Sequence, residues 1–409
     1  MFLTLSNFHP RRRADRRNPF PCGKMSFFAS MKKWMIVHLL LGYVFLLSGV
    51  IVNILMLCSL VLWPFNKTLY RRINYYLAYS HWCELCALCA WWSNSDCILY
   101  VEPEDLKHVG KEHTVCLSNH GYEIDFLMFF ILCERLHMLG GSKIYGKDIL
   151  KFAPILGLEW YSTESIFLKR DWAKDKEIIQ NYTKQMAAYP ADLVSSLLFC
   201  PEGTRFTPEK HKTSLEISRK KGYPELKHLL LPRSKGFYVS MLGMKGKHAF
   251  PTVLDMTLAF RKDQPDPTFW DVVNGKQILG HLKIRRISIN SVPTDTEEEC
   301  AEWMRQLFVE KDKCLDYFSE HGCFEGSSVR LPRRLNDLII SLFWVAITCL
   351  PLIYYSGKIF WSGTIIQQLV FLSVTVFLSY VVRLLIGITE KSKGSKYGVQ
   401  TVNNEEKTK

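Results

Sequence analysis

Apolar and polar positions alternate on two scales along this chain. Two stretches lack charge for long enough to matter: Trp34 to Pro64, and Leu338 to Val382, interrupted only by Lys358. Between them the apolar runs are short and separated by polar turns. His113 to Leu117, Ser165 to Leu168 and Val194 to Cys200 read as strands, as do Leu229 to Pro232 and Phe250 to Phe260. Phe126 to Leu136 reads as an apolar helix, and Asp171–Tyr189 has helical periodicity that stops at Pro190. Thr207 to Leu229 is polar and basic, a helix plus connections over the surface. Such alternation predicts an α/β domain built on a mixed sheet, with no internal repeat.

The two long runs read as membrane segments, because a hydrocarbon core of about 30 Å needs roughly 20 apolar residues in a helix. The second divides at Tyr355-Ser356-Gly357-Lys358 into Leu338–Gly357 and Ile359–Val382, a helical hairpin. Arg330, Arg333 and Arg334 precede it and Arg383, Lys391, Lys393 and Lys396 follow, which puts both of its ends on the cytosolic side. A straight helix over the first run would be roughly 46 Å long, more than one untilted span requires. Gly42, Ser48, Gly49 and Asn53 offer places to bend, so a bent or re-entrant anchor is expected ahead of a tilted span.

The expected organisation is a basic N-terminal extension over 1–33, a membrane anchor over 34–68 and an α/β domain over 69–330. A transmembrane hairpin over 338–387 and a polar cytosolic tail over 388–409 complete it. Arg11-Arg12-Arg13 and Arg16-Arg17 give the extension a transit-peptide flavour, and Met25 offers an alternative start. A cleaved secretory signal does not fit, since the first apolar run begins too late and runs too long.

A net charge of +13 adds a partner class: anionic lipid, phosphate or a coenzyme-like substrate, with nucleic acid not implied. The 13 cysteines are scattered through apolar stretches and do not form a disulfide framework. Cys83, Cys86 and Cys89, with His81 and Cys97 nearby, imitate metal-ligand spacing. Their aromatic surroundings favour packing on a helix, so no metal is expected. Two glycosylation-type triplets, at Asn66 and Asn181, would go unused in a cytosolic domain.

Candidate chemistry starts at Ser118-Asn119-His120-Gly121-Tyr122-Glu123-Ile124-Asp125. A carboxylate on one ring nitrogen fixes the tautomer of a histidine and raises the basicity of the other nitrogen, which makes a general base. The plainer alternative is a histidine and carboxylate at a helix N-terminus. Phe199-Cys200-Pro201-Glu202-Gly203-Thr204-Arg205 follows another strand; Gly203 permits a tight turn, and Arg205 offers a planar fork to a phosphate. Glu202 could hold that arginine or orient a hydroxyl. Phe167-Leu168-Lys169-Arg170 ends a third strand in two cations. Each of the last two segments also reads as an ordinary solvated strand end.

Together these blocks resemble the glycerolipid acyltransferases, specifically the 1-acylglycerol-3-phosphate (lysophosphatidate) acyltransferases. Asn119, His120 and Asp125 match the family's first block, Phe167, Leu168 and Arg170 the second, and Glu202, Gly203, Thr204 and Arg205 the third. The fourth, an apolar stretch around a proline, fits either Pro232 or Pro251. Glu123 to Leu127, Gly140 to Lys143, Leu231 to Phe237 and Gly387 to Glu390 are similar to the gamma/delta branch.

The resemblance implies acyl transfer from acyl-CoA to the sn-2 hydroxyl of lysophosphatidic acid, giving phosphatidic acid for phospholipid synthesis. No cofactor is implied beyond the acyl-CoA co-substrate. His120 and Asp125 would be catalytic. Arg205, Arg170 and Lys169, with Glu202, Gly203 and Thr204, would bind the acceptor phosphate. The implied location is the endoplasmic reticulum membrane, with the catalytic domain facing the cytosol. Alternatives are the same transfer to lysophosphatidylinositol or lysophosphatidylcholine, or a non-catalytic membrane-shaping protein.

Overall fold

The structure, a computed structural model, describes residues 27–186, 188–245, 250–264 and 266–390, the last six as backbone. Most of the basic extension, Met25 with it, and the tail from 391 lie outside the described residues. Helices α1 (Phe27–Met31), α2 (Met35–Ser59) and α3 (Lys67–Ala87) come first. They lead into β1 (Asp96–Tyr100), α4 (Pro103–Leu106), β2 (Thr114–Ser118), α5 (Asp125–Arg135) and β3 (Ser142–Lys147). Then come α6 (Leu156–Ser162), β4 (Ile166–Leu168), α7 (Trp172–Met186), β5 (Ser196–Phe199), α8 (Pro208–Lys221) and α9 (Lys235–Met244). The domain finishes with β6 (Thr252–Ala259), α10 (Phe269–Val273), β7 (Leu279–Ser288), α11 (Glu297–His321) and β8 (Ser328–Val329). Two long helices, α12 (Asn336–Ser362) and α13 (Ile365–Glu390), follow.

The strands form one mixed sheet in the order β4-β3-β5-β2-β6-β7-β1-β8. The first five neighbours run parallel; β7 is antiparallel to β6, β1 parallel to β7, and β8 antiparallel to β1. Every residue of β2 and β6 is buried, as expected for central strands covered on both faces. Period-two alternation deals their side chains to two cores. Cys116, Leu254 and Met256 pack with Phe130 of α5 and Trp82 of α3. Val115, Leu117 and Val253 pack with Phe237 of α9 and Phe308 of α11 on the other face. Parallel strands β4, β3, β5, β2 and β6 therefore end together along one edge, where loops are free to carry function.

Among the described residues, three helices are long and apolar enough to cross a membrane: Met35–Leu62, Asn336–Ser362 and Ile365–Leu384. The hairpin turns later than expected. Lys358 is carried inside α12, and the chain reverses at Gly363-Thr364, where a Cβ on Gly363 would come within 2.3 Å of the Ile359 carbonyl. Thr364 and Gln367 then bond reciprocally, Thr364 N to Gln367 Oε1 at 2.9 Å and Gln367 N to Thr364 Oγ1 at 3.3 Å, a capping box that opens α13. A lone lysine near a helix end was a weaker signal than that cap.

Helix α2 runs unbroken through Gly42, Gly49 and Asn53, the positions that offered places to bend. Gly49 and Asn53 serve packing. A Cβ on Gly49 would come within 2.2 Å of the Ile155 side chain and 2.9 Å of His81, and Asn53 Nδ2 donates to Ile155 O at 3.1 Å. Helix α3, capped by Asn66, lies against α2 and α12, and it buries Cys83 and Cys86 in its core-facing side. His81 Nδ1 meets Glu159 at 2.7 Å and its Nε2 bonds Phe45 O at 2.9 Å, so its ring is committed to structure.

Segment Leu229 to Pro232, expected as a strand, joins no sheet. Side chains take its amides: Leu230 N donates to Glu202 Oε2 at 3.1 Å and Leu231 N to Ser214 Oγ at 2.8 Å. Strands β1, β3 and β7 and helix α11 were not foreseen. The obstacle in β3 is Lys143, a fully buried lysine that donates to Thr163 O.

Candidate active site

His120 is the second residue after β2 and Asp125 begins α5. Asn119 fastens this loop to the neighbouring strand: its Oδ1 accepts from Leu258 N at 2.8 Å and its Nδ2 donates to Leu258 O at 2.9 Å. Asp125 Oδ2 lies 3.0 Å from His120 Nδ1, and the same oxygen accepts from Gly121 N at 2.8 Å and Tyr122 N at 3.0 Å. Three donors on one oxygen fix the position of the carboxylate. The imidazole then carries its proton on Nδ1, leaving Nε2 as the basic nitrogen. With the His120 side chain 31% exposed, that ring is reachable from outside. Asp125 stands at the first turn of α5, as the helix-terminus alternative expects, and it also gathers the loop amides that precede its helix.

Glu202 departs from its expected role. It is buried, and its Oε1 accepts from the backbone amide of His120 at 2.8 Å while Oε2 accepts from Leu230 N. Both oxygens are spent on main chain, so it neither holds an arginine nor lines a phosphate pocket. Burial pushes its carboxyl up to about 8, against the two amides and the Lys311 charge, which pull it down. Glu202 is a positioning residue that ties the loops after β2, β5 and α8 together. Lys311 supports the same region from α11, donating to Leu117 O at 3.1 Å and Met256 O at 2.6 Å.

Gly203 follows in the left-handed region, φ +67°, which suits glycine. Arg205 is directed by Glu123, whose carboxylate lies 3.8 Å from its guanidinium, and Phe206 N donates to His120 O at 2.9 Å. Glu123 Oε1 in turn accepts from Phe269 N at 3.0 Å. Thr204 Oγ1 accepts from Lys210 Nζ at 2.6 Å, and the same ammonium reaches Arg205 O at 3.2 Å. At the end of β4, Arg170 has φ +64°, held there because Lys169 N and Arg170 N both donate to the Asp175 carboxylate, at 2.7 and 2.9 Å. Lys169 stands exposed beside it, and Phe167 is buried in β4 as part of the packing.

Sequence reasoning missed two cations here. Lys147 ends β3, and its ammonium is held below the usual lysine range by burial and by Arg170, Lys210 and Arg205. Lys210 is lowered in the same way, by burial and then by Arg205 and Arg170. The ends of β3, β4 and β5, with the first turn of α8, thus bring four cations close enough to repel one another. Such a cluster stands ready for a multiply charged anion. The signal for Lys147 was faint, a lysine after an unrecognised strand; Lys210 was hidden in a basic segment that reads as surface.

The two candidate prolines separate. Pro232 adjoins Arg233, whose amide donates to Pro201 O at 2.8 Å, which places it at the site edge. Pro251 precedes β6, where Thr252 pairs with Thr114 at the far end of β2, so it has no place in the site. A cleft of about 760 Å³ opens beside the histidine loop, bounded by Tyr122, Glu123, Arg205, Arg261 and Lys262. An apolar cavity of about 590 Å³ lies behind α10, lined by Phe269, Val273, Leu88, Phe45 and Val345. The two come together at the start of α10, Thr268 lining one and Phe269 the other.

Residues 98–243 match the acyltransferase family model, and residues 271–344 match that of the acyltransferase C-terminus. The chain is 40% identical over 382 residues to 1-acyl-sn-glycerol-3-phosphate acyltransferase gamma of Mus musculus, covering 93% of this chain and 100% of that one. It is 39% identical over 374 residues to the delta protein of Bos taurus, covering 91% and 97%. The crystal structure of an LPA acyltransferase from Thermotoga maritima aligns with TM-score 0.40 and 14% identity, covering 68% of this chain and 95% of that one.

Proposed function

The chain belongs to the 1-acyl-sn-glycerol-3-phosphate acyltransferase family, and from that premise we propose that it moves a fatty acyl group from acyl-CoA to the sn-2 hydroxyl of lysophosphatidate, forming phosphatidate. The observation that carries this reading is the pairing of a carboxylate-held His120 with the cations Lys147, Arg170, Arg205 and Lys210 along one sheet edge. The base and the anion cradle are separate, so a hydroxyl and a phosphate of one acceptor can be engaged together.

In the reaction, His120 Nε2 takes the hydroxyl proton as the acceptor oxygen attacks the thioester carbonyl carbon. The tetrahedral adduct collapses with cleavage of the C–S bond, and the imidazolium returns the proton to the departing thiolate, so CoA leaves as its thiol. Thiolate is a good leaving group, so no acyl-enzyme is required. Cys116, just before the histidine loop, and Cys200, just before Glu202, are both pushed up by burial, which makes them poor nucleophiles. Arg205, Arg170, Lys147 and Lys210, with Lys169 at their margin, hold the acceptor phosphate. Glu202 and Asn119 hold the histidine loop.

The apolar cavity behind α10 suits an acyl chain, because Phe269 both lines it and donates to Glu123 of the histidine loop. Three apolar helices suit an enzyme whose substrate and product are lipids. The proposed location is the endoplasmic reticulum, which rests on family membership; the flanking Arg and Lys residues support a cytosolic sheet domain.

The test is CoA release by purified protein in vesicles, using acyl-CoA and a panel of lysophosphatidate, lysophosphatidylcholine and lysophosphatidylinositol. Lysophosphatidate is expected to be the preferred acceptor. Preference for either headgroup-bearing lipid overturns the acceptor assignment, and no turnover with any of them overturns the enzymatic reading.

A further inference from the structure

Within the described part of the sheet domain, the two most exposed large apolar side chains are Ile149 and Phe152, at 68% and 71%. Both lie on the 3-10 turn Asp148–Phe152, which leaves β3 directly after Lys147 of the anion cradle. The turn is braced. Lys151 bonds Asp148 at 2.8 Å, its ammonium stands 5.2 Å from the Phe152 ring centroid, and Gly157 fits closely under the Lys151 carbonyl, where a Cβ would come within 2.5 Å. A braced turn that shows two large apolar groups to solvent needs a partner for them.

Its neighbourhood supplies the identity of that partner. The chain just beyond is pinned to α2 by Asn53 and by the close approach of Ile155 to Gly49, both near the middle of the apolar helix Met35–Leu62. Beyond this contact the helix exposes Ile54, Leu57 and Val61 at 54%, 50% and 70%. Exposed apolar groups thus occur both on a helix fit for a bilayer and on the turn that precedes its contact with the sheet domain. Lys147 and Lys151 border those on the turn, as cations border apolar groups at a headgroup layer.

We propose that the turn Asp148–Phe152 inserts Ile149 and Phe152 into the hydrocarbon of the lipid leaflet, holding Lys147 and the anion cradle at headgroup level. Insertion stands apart from the reaction; its use, taking lysophosphatidate from the membrane without lifting its acyl chain through water, rests on the function proposed above.

The experiment places the photoreactive residue p-benzoylphenylalanine at position 149 or 152 of the full-length chain in phosphatidylcholine vesicles containing a minor share of anionic lipid. After illumination and digestion, lipid-adducted peptides are expected from both positions and not from position 227, where the lysine of the open cleft is 70% exposed. Absence of lipid adducts at 149 and 152, or equal labelling at 227, overturns the proposal. A second arm uses Ile149→Ser/Phe152→Ser. Burying one such side chain in hydrocarbon is worth about ten-fold or more in an equilibrium, so kcat/KM for long-chain lysophosphatidate in vesicles is expected to fall about ten-fold or more, with a water-soluble short-chain acceptor unchanged. Equal loss on both acceptors, or none on either, overturns the delivery role. Wild-type protein inert toward lysophosphatidate refutes the acceptor reading instead, and leaves the cross-linking result to stand by itself.

Discussion

Glu202 holds His120 by its backbone: Oε1 accepts from the histidine amide at 2.8 Å, inside a carboxylate that is almost completely buried. Removing it leaves the amides of His120 and Leu230 without acceptors. Each such buried orphan costs about 1–3 kcal/mol, so Glu202→Ala is expected to lower the apparent melting temperature and turnover together. Initial rates and thermal unfolding of the same preparation check this; full activity with unchanged stability would deny the positioning role.

The same carboxyl carries a pH signature. Burial raises it to about 8 from its ordinary value of 4.5, so between those limits the folded protein keeps a proton that the unfolded chain has lost. The unfolded state binds fewer protons there, and stability is expected to fall as pH climbs through that window. Melting temperatures across it should show less slope in Glu202→Gln, which has no proton to lose.

Asp125→Asn keeps the shape of the carboxylate and removes its charge. The oxygen that receives His120 Nδ1, Gly121 N and Tyr122 N would then be shared with an amide that donates, favouring the wrong imidazole tautomer. Turnover is expected to drop by about 10²–10⁴-fold, the usual scale of general-base assistance, with little change in the acceptor KM. A loss confined to KM would point to substrate binding instead.

The cation cluster predicts proton uptake on binding. Lys147 and Lys210 are held below the ordinary lysine range by burial and by their cationic neighbours, and a bound phosphate dianion would restore them. Affinity for lysophosphatidate should therefore weaken as pH rises through the depressed range. Calorimetry in buffers of different ionisation enthalpy measures the uptake. Lys210→Met should raise the acceptor KM and diminish the uptake, whereas equal uptake in variant and wild type would exclude Lys210.

Gly203→Ala isolates the backbone at the turn. With φ +67°, an alanine there costs about 1–2 kcal/mol, while its Cβ would meet Arg233 at an ordinary 3.5 Å. A modest fall in melting temperature with retained acceptor affinity is expected.

Sequence spacing exposed the site because its groups sit where apolar runs stop. His120, Arg170 and Glu202 each follow a short buried strand, and strand order then brings those ends together. The role of Glu202 was not legible, since a glutamate beside an arginine reads as its partner; only the fold shows both of its oxygens taken by amides. Lys147 was invisible because β3 itself was, a strand disguised by buried Lys143. The hairpin turn went astray at Lys358, where one charge outweighed the Thr364–Gln367 cap that sets the helix start.

The most direct measurement of the central claim is CoA release by His120→Ala beside the wild type, in vesicles with acyl-CoA and lysophosphatidate, after matched circular dichroism and membrane incorporation. The variant is expected to fold and insert normally and to lose turnover by about 10²–10⁴-fold or more. Near-wild-type turnover would contradict the assignment of His120 as the base.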